Sequence, residues 1–349
     1  MKLVEFVPPV QHPLWKLCLQ MGITEVIVKV NPDLTGLADP WRYETLKRIV
    51  DGLAAAGLTV VGLEGDPFDM SPVKEFGTGE VDEARREETL SHYRELLESM
   101  ARLGIHLLCY NFMVGTGWAR SGVREGRGGA KATYFSLAET PKMPLKLDKA
   151  QIWANYKHFA EAVMPTAERV GVRMGLHPDD PCLPDLGGYA RILETVADYD
   201  RAYAIYPSPA NAITFCQANF KLMLQAAGEN VADGTDGLAT TARHFGTRIA
   251  FVHVRDVAGD RTDFTELFHD QGTTDQFKLL RTYRELGIDV PMRGDHVPEM
   301  AGDRLVTEQC IPGYFTLGRL YANGFLRALM KADESLAREE SCAVDGRRA

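Results

Sequence analysis

The chain has 349 residues, of which 45% are hydrophobic and 25% are charged, and its formal net charge is −9. These values are typical of a soluble globular protein that can bury a sizeable core. An acidic balance gives no footprint for nucleic acid or for an anionic membrane surface, so we expect neither as a partner. Neither a signal-peptide pattern nor a long apolar run is found, so we predict no membrane span and a cytoplasmic location.

The six cysteines are sparse and form no Cys-x-x-Cys pair. A chain of this length needs no disulfide to fold, so we expect all of them to be reduced thiols. They are Cys18, Cys109, Cys182, Cys216, Cys310 and Cys342.

Eight short apolar runs alternate with helical patterns along the chain. Several runs are almost continuous Val, Ile and Leu, as expected of parallel strands covered on both faces. The predicted strands are Leu3–Val7, Glu25–Val30, Thr59–Leu63, His106–Asn111, Arg173–His177, Arg201–Tyr206, Ile249–His253 and Val290–Asp295. Most of the helical patterns end just before a glycine, which is the usual C-cap signal. They are Trp41–Ala56, Asp82–Leu103, Lys149–Val170, Thr274–Leu286 and a closing helix at Thr316–Leu336.

This strand–helix rhythm predicts an α/β fold, a (β/α)8 TIM barrel that forms a single domain over residues 1–336. A doubly wound open sheet is the alternative, but no Gly-x-Gly-x-x-Gly follows the first strand. An insertion at about 122–147 interrupts the rhythm after the fourth strand and is either a lid over the barrel rim or a surface loop. Residues 337–349 are predicted to be a polar tail.

Four residues of metal-ligand type each follow a short apolar run. His177, Cys216, His253 and Asp295 are separated by 39, 37 and 42 residues, about the length of one strand–helix unit. The C-terminal ends of barrel strands meet at one rim, so these side chains are expected to meet in space. One thiolate and two imidazoles favour zinc, iron or cobalt by softness, whereas manganese prefers oxygen ligands and is not ruled out.

Two further residues are candidates for proton transfer beside such a metal. His296 directly follows Asp295, and Tyr314 lies in Pro312-Gly-Tyr314. Neighbouring residues of a strand point to opposite faces, so His296 reaches the site only if the strand has ended before it. For Tyr314 the alternative is a buried aromatic at the start of the last helix.

Five polar residues near strand ends are candidates for binding the substrate. Arginine is the natural partner of a substrate carboxylate, and amide or imidazole groups bind hydroxyls. The alternatives are salt bridges at the rim or a role in orienting the metal ligands. The candidates are Asn111, Arg120, Asp179, Arg255 and His269.

Seven short segments together resemble the mannonate dehydratases that have a metal-dependent, xylose-isomerase-like barrel. Their order along the chain is that of the family, from the first strand to the last helix. The segments are Cys109-Tyr-Asn-Phe-Met113, His177-Pro-Asp-Asp-Pro181, Ser208-Pro-Ala-Asn211 with Cys216, Val252-His-Val-Arg-Asp256, Phe264-Thr-Glu-Leu-Phe-His269, Asp295-His296 and Pro312-Gly-Tyr314.

The resemblance implies a hydro-lyase that converts D-mannonate to 2-dehydro-3-deoxy-D-gluconate and water in hexuronate breakdown. It also implies Mn²⁺, with Fe²⁺, Co²⁺ or Zn²⁺ as alternatives, held by the positions matching His177, Cys216, His253 and Asp295. The positions matching His296 and Tyr314 would be the acid and base, in an order that the sequence leaves open. A homo-oligomer, a dimer or larger, is implied as well.

Three segments depart from the family pattern beside the metal positions. The family's proline and acid are missing from Met113-Val-Gly-Thr-Gly-Trp118, and the Arg293-Gly-Asp-His-Val297 and Cys216-Gln-Ala-Asn219 stretches also differ. Another sugar acid is therefore an open alternative as substrate. A metal-dependent isomerase or epimerase of the same superfamily is the second hypothesis. A carbohydrate-binding barrel without activity is the third, although binding alone needs no acid–base pair.

Overall fold

The computed structural model describes residues 1–228, 234–307 and 312–345. Cys310 and residues 346–349 of the predicted tail lie outside the described residues, as do the side chains of residues 341–345, Cys342 among them.

Eight parallel strands close into a barrel. The first strand, β1, has two halves: Lys2–Leu3 pairs with the last strand and Glu5–Val7 pairs with the second. This closure confirms the predicted (β/α)8 barrel and excludes the open sheet. The other strands are β2 (Glu25–Val28), β3 (Thr59–Glu64), β4 (Leu107–Asn111), β5 (Arg173–His177), β6 (Asn211–Cys216), β7 (Ile249–Val254) and β8 (Pro291–Gly294).

Helices surround the barrel, and the main hydrophobic core lies between them and the outer faces of the strands. A second apolar cluster fills the barrel interior, where Val4, Ile27, Leu107 and Phe251 pack together. The α-helices are Pro13–Gln20, Pro32–Thr35, Tyr43–Ala55, Ser71–Lys74, Glu83–Arg102, Lys149–Val170, Val196–Ile205, Gln217–Ala226, Thr235–Phe245, Gln276–Glu285, Asp303–Val306 and Thr316–Asp345. In the described residues, none of these helices has the length and apolar character needed to cross a bilayer.

The sixth strand was predicted in the wrong place. Arg201–Tyr206 lies mostly within the helix Val196–Ile205, and β6 is the next apolar run, which ends at Cys216. A capping box starts this helix, because Thr195 and Asp198 each bond to the other's backbone N–H. All six residues of β6 are buried, as a central parallel strand requires.

The segment predicted as an insertion forms half of a small antiparallel sheet, which we call the rim sheet. Its strands Gly122–Glu125 and Lys131–Ser136 pair with each other, and the second pairs with Asp263–Glu266 from the loop after β7. Val257–Asp260 completes the four strands. The segment is therefore attached to the barrel through a neighbouring strand.

The closing helix begins at Thr316 as predicted, but it continues to Asp345 into the predicted polar tail. Its charged residues pair with the helix Gln276–Glu285: Glu340 with Arg281 at 2.7 Å and Asp333 with Arg284 at 2.9 Å. These ion pairs explain why a polar sequence remains helical there.

Candidate active site

A cavity of about 390 Å³, which we call the rim cavity, opens at the C-terminal ends of the barrel strands. This is the end at which (β/α)8 barrels carry their chemistry. Its wall includes ionisable groups from β3, β5, β7 and β8 and the loops that follow them, together with aromatic rings. The polar and aromatic lining residues are Phe6, Lys29, Asn31, Glu64, Asp66, Cys109, Tyr110, Asn111, Trp118, His177, Asp180, His253, Arg293, Asp295, His296 and Tyr314.

The four predicted metal ligands meet at the base of this cavity, and we call them the ligand cluster. His177, Cys216, His253 and Asp295 each offer one ligand atom, and these atoms all lie within 4.8 Å of one another. They come from the ends of β5, β6 and β7 and from the residue after β8. The last three side chains are almost completely buried. Chain segments about 40 residues apart thus converge as the spacing predicts.

Two observations make this cluster suitable for a divalent ion. Both ring nitrogens of His253 are buried without a hydrogen-bond partner among the described residues, which is costly unless something binds them. The Nδ1 of His177 lies 2.8 Å from the Pro178 carbonyl and donates to it, so its Nε2 is the free ligand atom. Nitrogen, sulfur and carboxylate donors together suit a transition-metal ion better than Mg²⁺ or Ca²⁺.

The electrostatic surroundings of Cys216 favour the thiolate, the form that binds metals. Burial alone would raise its pKa, but the neighbouring imidazoles of His177 and His253 and the charge of Arg255 lower the pKa of Cys216 to about 5. The Arg255 Nη1 lies 3.7 Å from its sulfur, and the Asn219 amide donates to it at 3.5 Å.

A carboxylate–arginine pair, Glu64 and Arg293, lies behind His253, and neither residue was predicted from the sequence to be part of the site. Glu64 approaches the His253 Nε2 at 3.5 Å and accepts a hydrogen bond from the Arg293 Nε at 3.0 Å. Arg293 also reaches Asp295 at 2.9 Å. Although burial would raise it, Arg293 and His253 lower the pKa of Glu64 to about 2, so Glu64 is ionised and fixes the orientation of the imidazole. Glu64 ends β3, so the strand-end criterion could have found it.

His296 and Tyr314 contact each other on one wall of the cavity. The Tyr314 hydroxyl lies 3.3 Å from the His296 Nε2 and 3.5 Å from an Asp295 oxygen. The strand β8 ends at Gly294, and His296 has a left-handed backbone with φ 44°. The strand thus ends before His296, as is required for neighbouring residues to face the same side. This turn lets Asp295 and His296 both face the cavity.

Four buried charged side chains lie on the Nδ1 side of the His296 ring. Glu266, from the rim sheet, lies 3.1 Å from the His296 Nδ1 and binds the guanidinium groups of Arg120 and Arg255 at 2.6 Å each. Asp180 binds the same two arginines at 2.8 Å. Burial opposes ionisation, but the cations keep the pKa of Glu266 at about 2 and that of Asp180 far below its usual range.

The predicted substrate-binding residues are placed differently from one another. Asn111 lines the cavity, where its amide oxygen accepts hydrogen bonds from Lys74 and from the Met113 backbone. Arg120 and Arg255 instead have their guanidinium groups bound by carboxylates beneath the cavity wall. Neither has a free charge for a substrate, because each carboxylate already neutralises it.

Asp179 and His269 do not line the cavity. Asp179 is fully buried and accepts hydrogen bonds from the backbone of Ile192 and Leu193 and from Arg191, so it anchors that loop. His269 is buried and donates to the Val254 carbonyl at 2.8 Å. Of the two aspartates after His177, it is Asp180 that reaches the site. Residue spacing gave no signal for Asp180 over its neighbour, or for Glu266.

Fold and site together define a (β/α)8-barrel enzyme whose rim brings together four residues of metal-ligand type, a histidine and a tyrosine. A family model described as D-mannonate dehydratase (UxuA) matches residues 16–144 and 136–340. The chain therefore belongs to the D-mannonate dehydratase family, which confirms the resemblance and the predicted enzyme class, a hydro-lyase of carbohydrate metabolism.

Similar sequences and structures agree with this family. The mannonate dehydratase of Enterococcus faecalis is 27% identical over 90% of this chain and 92% of its own. Mannonate dehydratase 2 of Halalkalibacterium halodurans is 27% identical over 83% of this chain and 88% of its own. The crystal structure of mannonate dehydratase from Streptococcus suis serotype 2 superimposes with a TM-score of 0.78 at 24% identity, covering 95% of this chain and 94% of that one.

More distant structures share the barrel. A xylose isomerase domain protein from Alicyclobacillus acidocaldarius has a TM-score of 0.60 at 15% identity, over 96% of this chain and 99% of that one. The 3-keto-D-glucoside 4-epimerase of E. coli has a TM-score of 0.54 at 15% identity, over 95% and 99%. At these identities the likeness concerns the fold alone.

Proposed function

We propose that this chain dehydrates D-mannonate to 2-dehydro-3-deoxy-D-gluconate. The observation that carries the proposal is the contact between His296 and Tyr314 beside the ligand cluster, in a cavity of a chain of this family. A sugar acid that loses water needs a base for the proton next to its carboxylate and an acid for the departing hydroxyl. Both are present, on one wall of the cavity.

The ion is proposed to be Mn²⁺, with Fe²⁺, Co²⁺ or Zn²⁺ as alternatives, and His177, Cys216, His253 and Asp295 would hold it. When bound, a divalent ion stabilises negative charge that develops on the substrate oxygens. The thiolate, the unpartnered nitrogens of His253 and the aspartate support these four residues as the ligand set, whereas the choice of Mn²⁺ rests on the family resemblance.

His296 is proposed as the base. Its Nδ1 donates to Glu266, because the nearby Arg120 nitrogen is itself a donor and is already bound to Glu266 at 2.6 Å. With the proton on Nδ1, the Nε2 that faces the cavity has a free lone pair. The carboxylate also stabilises the imidazolium that forms when Nε2 takes the proton from C2 of the substrate.

Tyr314 is proposed as the acid. Burial, and then the carboxylate of Asp295, raise the pKa of Tyr314, so the phenol keeps its proton until it is needed. As the C2–H bond breaks, a C2=C3 double bond forms and the C3–O bond breaks. The departing hydroxyl takes the phenolic proton and leaves as water. The resulting enol becomes the 2-keto product, and proton transfer from the His296 imidazolium to Tyr314 restores both groups.

Asn111 is proposed to bind a substrate hydroxyl from the cavity wall. We further propose a cytoplasmic location, as expected from the sequence, and a homo-oligomer, a dimer or larger, as the family resemblance implies.

The test is mass spectrometry of the products after Mn²⁺-loaded protein is incubated with D-mannonate, other hexonates and hexuronates. Loss of one water from D-mannonate, abolished by a chelator and restored by Mn²⁺, is the expected result. Loss of water from a different acid alone would change the substrate and keep the mechanism. An unchanged mass with altered stereochemistry would contradict the dehydratase and favour an isomerase or epimerase.

A further inference from the structure

One cation at the rim cavity has no partner. Lys29 follows the end of β2 and lines the cavity, and no hydrogen bond or ion pair to it occurs in the part of the chain that the structure describes. The other cavity cation, Arg293, is bound by Glu64 and Asp295. Arg120 and Arg255, the predicted carboxylate partners, are bound by Asp180 and Glu266. A free positive charge therefore remains at one place on this wall.

Two acidic residues lie next to the backbone over which Lys29 packs, but both are paired with other cations. Its aliphatic stem packs over Gly65, where an added Cβ would lie 3.3 Å from the Cε of the lysine and 3.6 Å from its Nζ. Glu64 and Asp66 flank this glycine, but Glu64 binds Arg293 and Asp66 binds Lys74 at 2.7 Å. Because Gly65 has no side chain, the stem of Lys29 can pack directly against its backbone along the cavity wall.

An unpartnered acceptor lies next to this charge. The amide oxygen of Asn31 is buried and makes no hydrogen bond within the described residues, and Asn31 also lines the cavity. A buried acceptor without a partner is costly unless a ligand or water supplies the donor. Lys29 and Asn31 thus offer a cation and a hydroxyl-binding oxygen on one loop.

The position of Lys29 separates it from the ligand cluster. It lines both the rim cavity and a small apolar cavity of about 70 Å³ beside it, and Tyr314 and Phe6 line both as well. None of the four proposed metal ligands lines the smaller cavity. The lysine therefore lies on the side of the rim cavity where Tyr314 is, against apolar walls that strengthen its field.

We propose that Lys29 binds the carboxylate of the sugar acid, with Asn31 accepting a hydrogen bond from a hydroxyl of the same molecule. This inference rests on the proposed function, because it takes the substrate to be a sugar acid. Lys29 would set the preference for an acid over a neutral sugar and the direction in which the substrate lies.

The test compares a charged ligand with its neutral counterpart. Calorimetry measures binding of D-mannonate and of D-mannitol to Mn²⁺-loaded protein in a Tyr314→Phe background, in which turnover is expected to be slow. We expect Lys29→Met to weaken D-mannonate binding about 10- to 100-fold, the typical effect of a hydrogen bond to a charged group, and to leave D-mannitol binding unchanged. Lys29→Arg should recover most of the affinity for the acid.

Lys16→Met is the matched control, because Lys16 is an exposed lysine on the first helix and should have no effect. Equal losses for D-mannonate and D-mannitol, or no loss for either, would overturn the proposal. If the protein dehydrates D-mannonate and Lys29→Met binds it normally, only this inference fails. If D-mannonate is not turned over, the same comparison with D-gluconate, D-galactonate and D-glucuronate tests Lys29 independently, and failure of every acid to bind overturns both proposals.

Discussion

His296 and Tyr314 touch each other but have different surroundings, and those surroundings support the base and acid roles that we propose for them. The imidazole Nδ1 lies 3.1 Å from the Glu266 carboxylate and donates to it, which leaves Nε2 facing the phenol. The phenol is buried beside Asp295, which disfavours a negative charge on its oxygen. Two groups that exchange protons with one substrate can serve as base and acid when their surroundings favour different protonation states.

Removal of the phenolic hydroxyl should therefore affect turnover more than binding. We expect Tyr314→Phe to lower kcat about 10²- to 10⁴-fold, the usual contribution of general acid catalysis, with KM changed much less. Steady-state kinetics with D-mannonate is the measurement. Tyr321→Phe, at a half-exposed tyrosine on the closing helix, is the control and should leave kcat unchanged. A rise in KM alone would instead assign Tyr314 to binding.

Cysteine 216 should be needed for the metal and not merely for packing. We expect Cys216→Ala to lose most of the bound Mn²⁺, since the thiolate is one of four proposed ligands. Metal content measured by plasma mass spectrometry after gel filtration checks this. Cys182→Ala creates a comparable small void at another buried cysteine and should keep the metal. Equal metal content in the two variants would remove Cys216 from the ligand set.

Sequence spacing could predict only those site residues whose positions follow from the repeating strand–helix unit of the barrel. The ligand cluster lies at the ends of successive strands, so a regular interval indicates it. Strand spacing does not predict Asp180 and Glu266, because their place in the site depends on the arginines that pack against them from distant parts of the chain. The same packing removes Arg120 and Arg255 from the cavity, although arginine chemistry alone suggested a substrate carboxylate.

At the scale of elements, one strand of the rim sheet connects the insertion to the acid–base pair. The strand Asp263–Glu266 pairs with Lys131–Ser136, and its last residue carries the carboxylate beside His296. Its first residue, Asp263, binds Arg124 on the exposed side of the same sheet. The strand thus offers one buried and one exposed ion pair for comparison.

The buried pair should matter far more than the exposed one. We expect Glu266→Gln to lower the free energy of unfolding by about 3–5 kcal/mol, because two buried arginines would then share the single counter-charge of Asp180. Asp263→Asn should cost about 0–1 kcal/mol, since side chains that are 38% and 48% exposed gain little from pairing. Urea denaturation monitored by tryptophan fluorescence gives both values. Similar losses in the two variants would contradict the burial argument.

The Glu266 contribution should depend on pH in a defined direction. Its pKa falls from an ordinary value of 4.5 to about 2 in the folded chain. A lowered pKa contributes stability above about pH 4.5 and loses it as the pH falls toward 2. The difference in urea midpoint between wild type and Glu266→Gln should therefore be constant from pH 7 to 5 and shrink below pH 4.5. A difference that stays constant to pH 3 would refute the assignment.

The misplaced sixth strand shows where apolar periodicity fails at this scale. Arg201–Tyr206 is a short, mostly apolar run as in a buried strand, yet it lies mostly within a helix of ten residues that starts with a capping box. The Thr195-x-x-Asp198 signal was present in the sequence and outweighs the short apolar run. Helices such as Lys149–Val170, by contrast, have enough turns and a terminal glycine to define their bounds.

The geometry of the site depends on closure of the whole barrel. The first strand pairs with both its neighbours, so every strand end is held by two others, and the ligand cluster draws on four consecutive ends. Composition and repeat length predicted this architecture because closure follows from the number of strand–helix units. The identity of the ion does not follow, since several transition metals share the same donors.

A metal held by β5 to β8 should stabilise the entire barrel. Binding to the folded state alone adds RT ln(1 + [L]/Kd), about 3 kcal/mol when free metal is a hundred times Kd. For a chain of this size that corresponds to a rise in Tm of several degrees. Thermal unfolding followed by circular dichroism, with Mn²⁺ or with a chelator, measures the rise.

Mg²⁺ at the same concentration should shift the Tm much less, because it prefers oxygen ligands and two imidazoles and a thiolate offer none. His253→Ala removes one ligand, so its Tm should be the same with Mn²⁺ and with the chelator. A Tm that rises equally with Mg²⁺ and Mn²⁺, or that still rises in His253→Ala, would place the stabilising ion elsewhere on the protein. A shift confined to the wild-type chain and to transition metals would tie the stability of half the barrel to the four residues whose spacing first predicted the site.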